Sequence, residues 1–188
     1  DFFYMLRSWY EEVNNIEIWE QLRQVIVHCT EDYGSLNINK SPFNVGEVIE
    51  LEEFNHEQVI ELAIRYKLNL KDKEIHKLMG MIGGHPYLVR LAFDYLAEND
   101  IALENFLQNA PTDIGVYSRY LRPFLVTLKE YTELAEALKK VINLTEPVQL
   151  DSILKYKLYN MGLIRYQDNF VIPRCKLYRI YFQKYLGK

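Results

Sequence analysis

With 188 residues, 49% of them hydrophobic and 14% aromatic, the chain has enough apolar material for packed cores and reads as globular. No run of about 18 apolar residues occurs, which excludes a predicted helical membrane span, and two cysteines in different predicted domains exclude a secreted disulfide scaffold. The formal charge of −4 hides a split: residues 1–146 carry 14 Lys and Arg against 24 Asp and Glu, whereas residues 147–188 carry 8 against 2, an asymmetry that suits a nucleic-acid surface or a docking face within the chain.

Phe2 to Glu12 predicts a helix with Phe2, Leu6, Trp9 and Val13 along one side, followed by a break at Asn14-Asn15 and a short turn around Trp19. The period then changes. Gln24 to Cys29 is a short β-branched run, the pattern of a strand buried on both faces of a parallel sheet. Such a strand needs neighbours, and this segment offers only the weak run Glu47 to Leu51. Thr30 and Glu31, just past its carboxyl end, stand where open α/β sheets bind ligands. Asp1 leads straight into helical sequence, which predicts a fragment whose missing strands lie upstream.

Residues 32–46, rich in Gly, Ser, Asn and Pro, predict a loop. Asn55 and Gln58 have the spacing of a capping box, and Val59, Leu62, Ala63 and Tyr66 form the apolar stripe of the helix it opens. Asp72 is the expected cap of the next helix, which buries Ile75, Leu78, Met79 and Ile82. Gly83-Gly84 ends it with a residue free to take positive φ, and Pro86 opens the following helix, whose Leu88, Leu91, Ala92 and Tyr95 repeat at helical spacing. That joint leaves a helix N-terminus with His85 beside it, a place suited to a phosphate or an adenine edge. A shorter helix from Ile101 to Leu107 completes a four-helix group closed by Pro111.

From about Asp113 to Lys129 a helix is expected to bend or break at Pro123, and a second runs from Thr132 to Ile142. After a boundary at Thr145-Glu146-Pro147, a third helix runs to Met161 and ends at Gly162. Leu163 to Tyr166 and Phe170 to Ile172 form a hairpin stopped by Pro173, and Arg174 to Leu186 is a last amphipathic helix. Helices followed by a hairpin predict a winged helix-turn-helix. Along the chain His28, His56 and His76 lack metal-ligand spacing: His56-Glu57 has no second His four residues on, so no metal site is assigned. Cys29 and Cys175 have no identifiable His partner and suggest no nucleophile. No catalytic residue is assigned.

Three stretches carry a resemblance: Ser41-Pro42-Phe43-Asn44-Val45-Gly46; Gly83-Gly84-His85-Pro86-Tyr87-Leu88; and Tyr159-Asn160-Met161-Gly162-Leu163-Ile164 running on to Ile172-Pro173-Arg174-Cys175 and Leu177 to Phe182. In order and spacing they resemble the C-terminal half of the bacterial AAA-like ATPase domain of the STAND class of signalling P-loop NTPases, nearly end to end. The resemblance implies a mainly α (α+β) fold in three parts: residues 1–52 as a remnant of the α/β P-loop core, 53–112 as a helical lid bundle, and 113–188 as a C-terminal winged helix. It further implies that ATP or ADP is held by Thr30 at a sensor strand, by Gly84, His85, Pro86 and Tyr87 at a Gly-x-Pro motif, and by Arg174. No Gly-x-x-x-x-Gly-Lys-Ser/Thr occurs, so Mg²⁺ and the phosphate grip belong to the missing N-terminal half, and this chain alone is expected not to hydrolyse ATP. The implied partners are the upstream core of the same polypeptide and a homo-oligomer formed on activation, with no membrane and a cytoplasmic location. The alternative is a DNA-binding winged-helix regulator using Lys155, Lys157 and Arg165, although Leu154, Tyr156, Leu158 and Tyr159 crowd the same helix and leave few polar groups for base edges.

Overall fold

The computed structural model describes residues 2–13, 15–27, 45, 47, 49, 51–99 and 101–187. Among them the fold is mainly helical, with a single small antiparallel hairpin. Two compact units divide the chain between Leu51 and Glu52.

In the first unit, helix α1 (Phe2–Glu12) forms as its periodicity predicts. A 3₁₀ turn follows at Glu17–Gln21, and the Trp9 and Trp19 rings stack with centroids 5.6 Å apart. Over its described residues, 24–27, the buried strand is not found. Residues 24–27 have no regular secondary structure, and Val25 and Val27 are about as open to solvent as side chains become, at 86% and 85% exposure. The weak second run fares no better where it is described, since Ile49 and Leu51 are exposed and irregular. The physical reason is a lack of neighbours: a parallel strand is held by its ladder, and no described segment of this unit supplies one. His28, Cys29, Thr30 and the segment 31–44 lie outside the described residues.

The second unit begins with helix α2 (His56–Arg65), opened by the predicted capping box. Asn55 Oδ1 accepts from the Gln58 N–H, and Gln58 Oε1 accepts from the Asn55 N–H, both at 2.9 Å. Helix α3 (Asp72–Ile82) starts at Asp72, but the cap is Lys71, whose backbone N–H donates to the Glu74 carboxylate at 2.7 Å. Gly83 ends α3 at φ 68° and donates its N–H to Met79 O, a backbone geometry strained for any residue with a Cβ. Pro86 opens helix α4 (Pro86–Glu98), and α5 (Leu103–Asn109) follows.

Helix α6 (Ser118–Glu130) begins later than its sequence suggests. Residues 112–118 are spent in successive tight turns, Thr112 to Asn109, Gly115 to Thr112 and Ser118 to Gly115. The helix then runs through Pro123 without interruption. Leu121 and Leu128, fully buried on either side of the proline, hold the segment to the core, so packing outweighs the lost hydrogen bond. Helices α7 (Thr132–Asn143) and α8 (Ser152–Asn160) follow, the latter capped by Asp151. Strands β1 (Ile164–Gln167) and β2 (Phe170–Pro173) pair in the register Ile164 to Pro173 and Gln167 to Phe170, with Val148 bridging Val171 from outside the hairpin. Helix α9 (Lys176–Leu186) closes the unit.

One hydrophobic core runs through residues 59–182, with Val59, Leu78, Leu88 and Phe93 in the same cluster as Leu138, Ile164, Tyr181 and Phe182. Segments before and after Pro111 are also tied by Tyr117, whose buried hydroxyl donates to Leu88 O at 3.1 Å. Burial holds that phenol protonated well above its ordinary range. No described helix is long and apolar enough to cross a membrane.

Candidate functional site

The joint between α3 and α4 is built by close approach. A Cβ on Gly84 would lie 1.9 Å from Phe54 O, so only glycine lets this backbone pass. Phe54 N–H in turn donates to Gly84 O at 2.8 Å. The chain entering α2 is thereby laid against the turn, and it brings Glu53 with it.

Glu53 is the pivot of the site. Its Oε2 accepts from the Gly84 N–H at 3.2 Å, and its Oε1 accepts from Arg174 Nε at 2.9 Å. Two groups separated by ninety positions of sequence thus meet on one carboxylate. Arg174 follows β2 directly, so the hairpin aims it, while the glycine turn aims the amide. The pair is only partly shielded from water, so its value lies in placing the guanidinium more than in stability.

His85 sits beside this pair, half-buried. Its Nδ1 is buried and has no hydrogen-bond partner. Burial first, and the nearby positive charge of Arg174 second, hold its imidazole below the ordinary value, with Glu53 opposing. The ring is therefore kept neutral. Its edge faces Tyr120 at 6.2 Å between centroids, Tyr87 packs on the same tyrosine at 4.9 Å, and Tyr178 donates its hydroxyl to Tyr120 at 3.2 Å. Burial raises the Tyr120 and Tyr178 phenols. It also pushes the Cys175 thiol up to about 12, which makes it a poor nucleophile.

An open cleft of about 630 Å³ lies against this arrangement, between the end of α3, the hairpin and the start of α9. Arg165, Arg174, Lys176 and Arg179 line it, against Glu53 and Glu146. Arg174 is engaged by Glu53, and Arg179 donates to Ile142 O and Leu144 O at 3.1 and 2.6 Å. The Arg165 and Lys176 side chains make no hydrogen bond or ion pair among the described residues. A cleft with this balance of charge attracts anions.

A model of the family described as AAA-like domain matches residues 1–184. The chain belongs to that family. No curated protein and no solved structure matches it. Membership makes it an ATPase-related domain. In this AAA-like domain, the residues read from the sequence as nucleotide contacts divide into three groups. Gly84, His85 and Arg174 converge through Glu53. Pro86 and Tyr87 are exposed at the start of α4, and like Gly84 and His85 they do not line the cleft, which Arg174 does. Thr30 lies outside the described residues. Glu53 and Tyr120, which organise the cluster, escaped the sequence reading because neither belongs to a motif.

Proposed function

We propose that this AAA-like domain is the C-terminal part of a STAND-type signalling ATPase, supplying a nucleotide-sensing lid in residues 53–112 and a regulatory winged helix in residues 113–188. The reading places the P-loop and the bound Mg²⁺ on a core elsewhere in the same polypeptide, because the chain contains no Gly-x-x-x-x-Gly-Lys-Ser/Thr. Helix α8, the hairpin and the Val148 bridge support the winged-helix reading.

The observation that carries the proposal is the shared carboxylate of Glu53. ATP or ADP would supply an anionic phosphate chain and an aromatic base. The residues suit both: Arg174, Arg165 and Lys176 hold positive charge at the cleft, and His85 keeps a buried nitrogen without a partner. An anion near Arg174 competes with Glu53 for the guanidinium. Loss of that contact frees Glu53 to shift, and the Gly84 amide it also holds stands at the turn between α3 and α4. The same carboxylate thus couples charge in the cleft to the geometry of a helix joint.

Nucleotide affinity of the polypeptide that joins the P-loop core to this domain provides the test. Arg174→Gln and His85→Ala are expected to weaken ADP binding by about tenfold each, in line with loss of a charge-assisted contact, while Lys129→Gln leaves it unchanged. Equal affinity in all variants rejects the proposal. DNA recognition by the winged helix would instead appear as a salt-dependent gel shift abolished by Lys155, Lys157 and Arg165 substitution.

A further inference from the structure

Folding joins three side chains that sequence spacing keeps apart. The capping box fixes His56 as the first residue of α2, and the Lys71 cap fixes Asp72 as the first residue of α3, with His76 one turn further along the same face. The two imidazole centroids are 4.1 Å apart. His56 Nε2 lies 3.4 Å from Asp72 Oδ1, and His76 Nδ1 lies 3.3 Å from Asp72 Oδ2. One ligand atom from each of the three residues falls within 4.8 Å of the others.

His56 Nε2 is buried, yet it makes no hydrogen bond despite the carboxylate 3.4 Å away. His76 Nδ1 meets the Asp72 backbone carbonyl at 3.0 Å, a contact a metal would have to displace, whereas His56 Nε2 has no hydrogen-bond partner and lies beside the Asp72 carboxylate, as a ligand of a common centre does. Two of the spacings, one to each oxygen of the Asp72 carboxylate, agree with this. Zinc bound tetrahedrally through arms of about 2.0–2.2 Å has ligand-to-ligand edges of about 3.3–3.6 Å. We propose that His56, Asp72 and His76 bind a divalent transition-metal ion that clasps α2 to α3.

The donor set selects the metal. Two imidazoles and one carboxylate favour Zn²⁺, Co²⁺, Ni²⁺ or Cu²⁺, whereas Mg²⁺ and Ca²⁺ prefer all-oxygen shells. His76 and Asp72 are 64% and 67% exposed, which gives the ion an entry path and leaves its remaining position to water. Both helix starts present positive dipole ends, which oppose a cation. Asp72 therefore has to offset them, helped by Glu57 and Glu74 in the same first turns. The competing arrangement is a plain pair of histidines leaning on Asp72. It would be indifferent to metal.

Calorimetric titration of the full chain with Zn²⁺, paired with the visible absorption of Co²⁺, separates the two. One equivalent of Zn²⁺ is expected to bind and to raise the melting temperature, and Co²⁺ is expected to give a four-coordinate spectrum. His76→Ala removes an exposed side chain and leaves the core intact. It should lower affinity by at least about tenfold and erase the thermal shift, as should Asp72→Asn. Zinc uptake that survives His76→Ala but is lost in Cys29→Ser would place the ion elsewhere and overturn the assignment. No uptake by the unaltered chain would overturn it as well.

Discussion

The two units of the chain are similarly apolar in sequence and differ completely in what they do with it. Among its described residues the first unit buries none, and Phe2, Ile18, Val25 and Val27 stand 61–86% exposed. The second unit packs side chains from every one of its helices into one continuous core. Helix α1 forms in the first unit along its predicted period, with the Trp9–Trp19 stack beside it, but a period only assigns a face. Burial of that face takes a complementary surface, and α2 to α9 supply one to each other. The comparison teaches that hydrophobic patterning determines elements, while the core comes from their mutual fit.

The sharpest way to break the second unit is through its tightest contact. Gly84→Ala puts a methyl group where Phe54 O already stands, and about 4 kcal/mol or more should be lost, the range of severe steric substitutions. A fall of the main thermal transition by circular dichroism would register it, and a wild-type melt would refute the packing described. A smaller effect is expected from His85. Its imidazole is lowered from the ordinary 6.5 on folding, so the unfolded chain binds the proton more readily. The stability tied to this group is complete above about pH 6.5 and declines as pH falls below it. Denaturant midpoints measured across that window should fall more steeply in the unaltered protein than in His85→Gln. Least of all is expected in the first unit. Val25→Ala and Val27→Ala should change stability by no more than about 0.5 kcal/mol. A larger loss would show that these residues are covered in solution and would erase the contrast between the units.

What could be read from the sequence follows the reach of the interaction involved. The Asn55 capping box, the Gly83 turn and the Pro86 start were legible because every partner lies within four residues. So was the hairpin, whose Asp168 takes a positive φ of 54° at its turn. The run at residues 24–27 misled because β-branched residues look the same whether a sheet covers them or water does. At Pro123, where a bend or a break is expected, no break occurs, since the proline's cost is local and the packing that overrides it is not. The candidate site was half legible. Gly84, His85 and Arg174 carry recognisable motifs, but Glu53 reaches Arg174 across 121 positions, and His56 meets Asp72 and His76 from a different helix. No spacing rule encodes either meeting.

The stacked Trp9 and Trp19 pair has a practical consequence. These are the chain's two indoles, and both belong to the unit ending at Leu51, whereas twelve of its fifteen phenols follow that boundary. The protein therefore carries its own colour coding: indole emission follows the leading segment and tyrosine absorbance follows the remainder, so each can be watched dissolving separately without a dye or a tag.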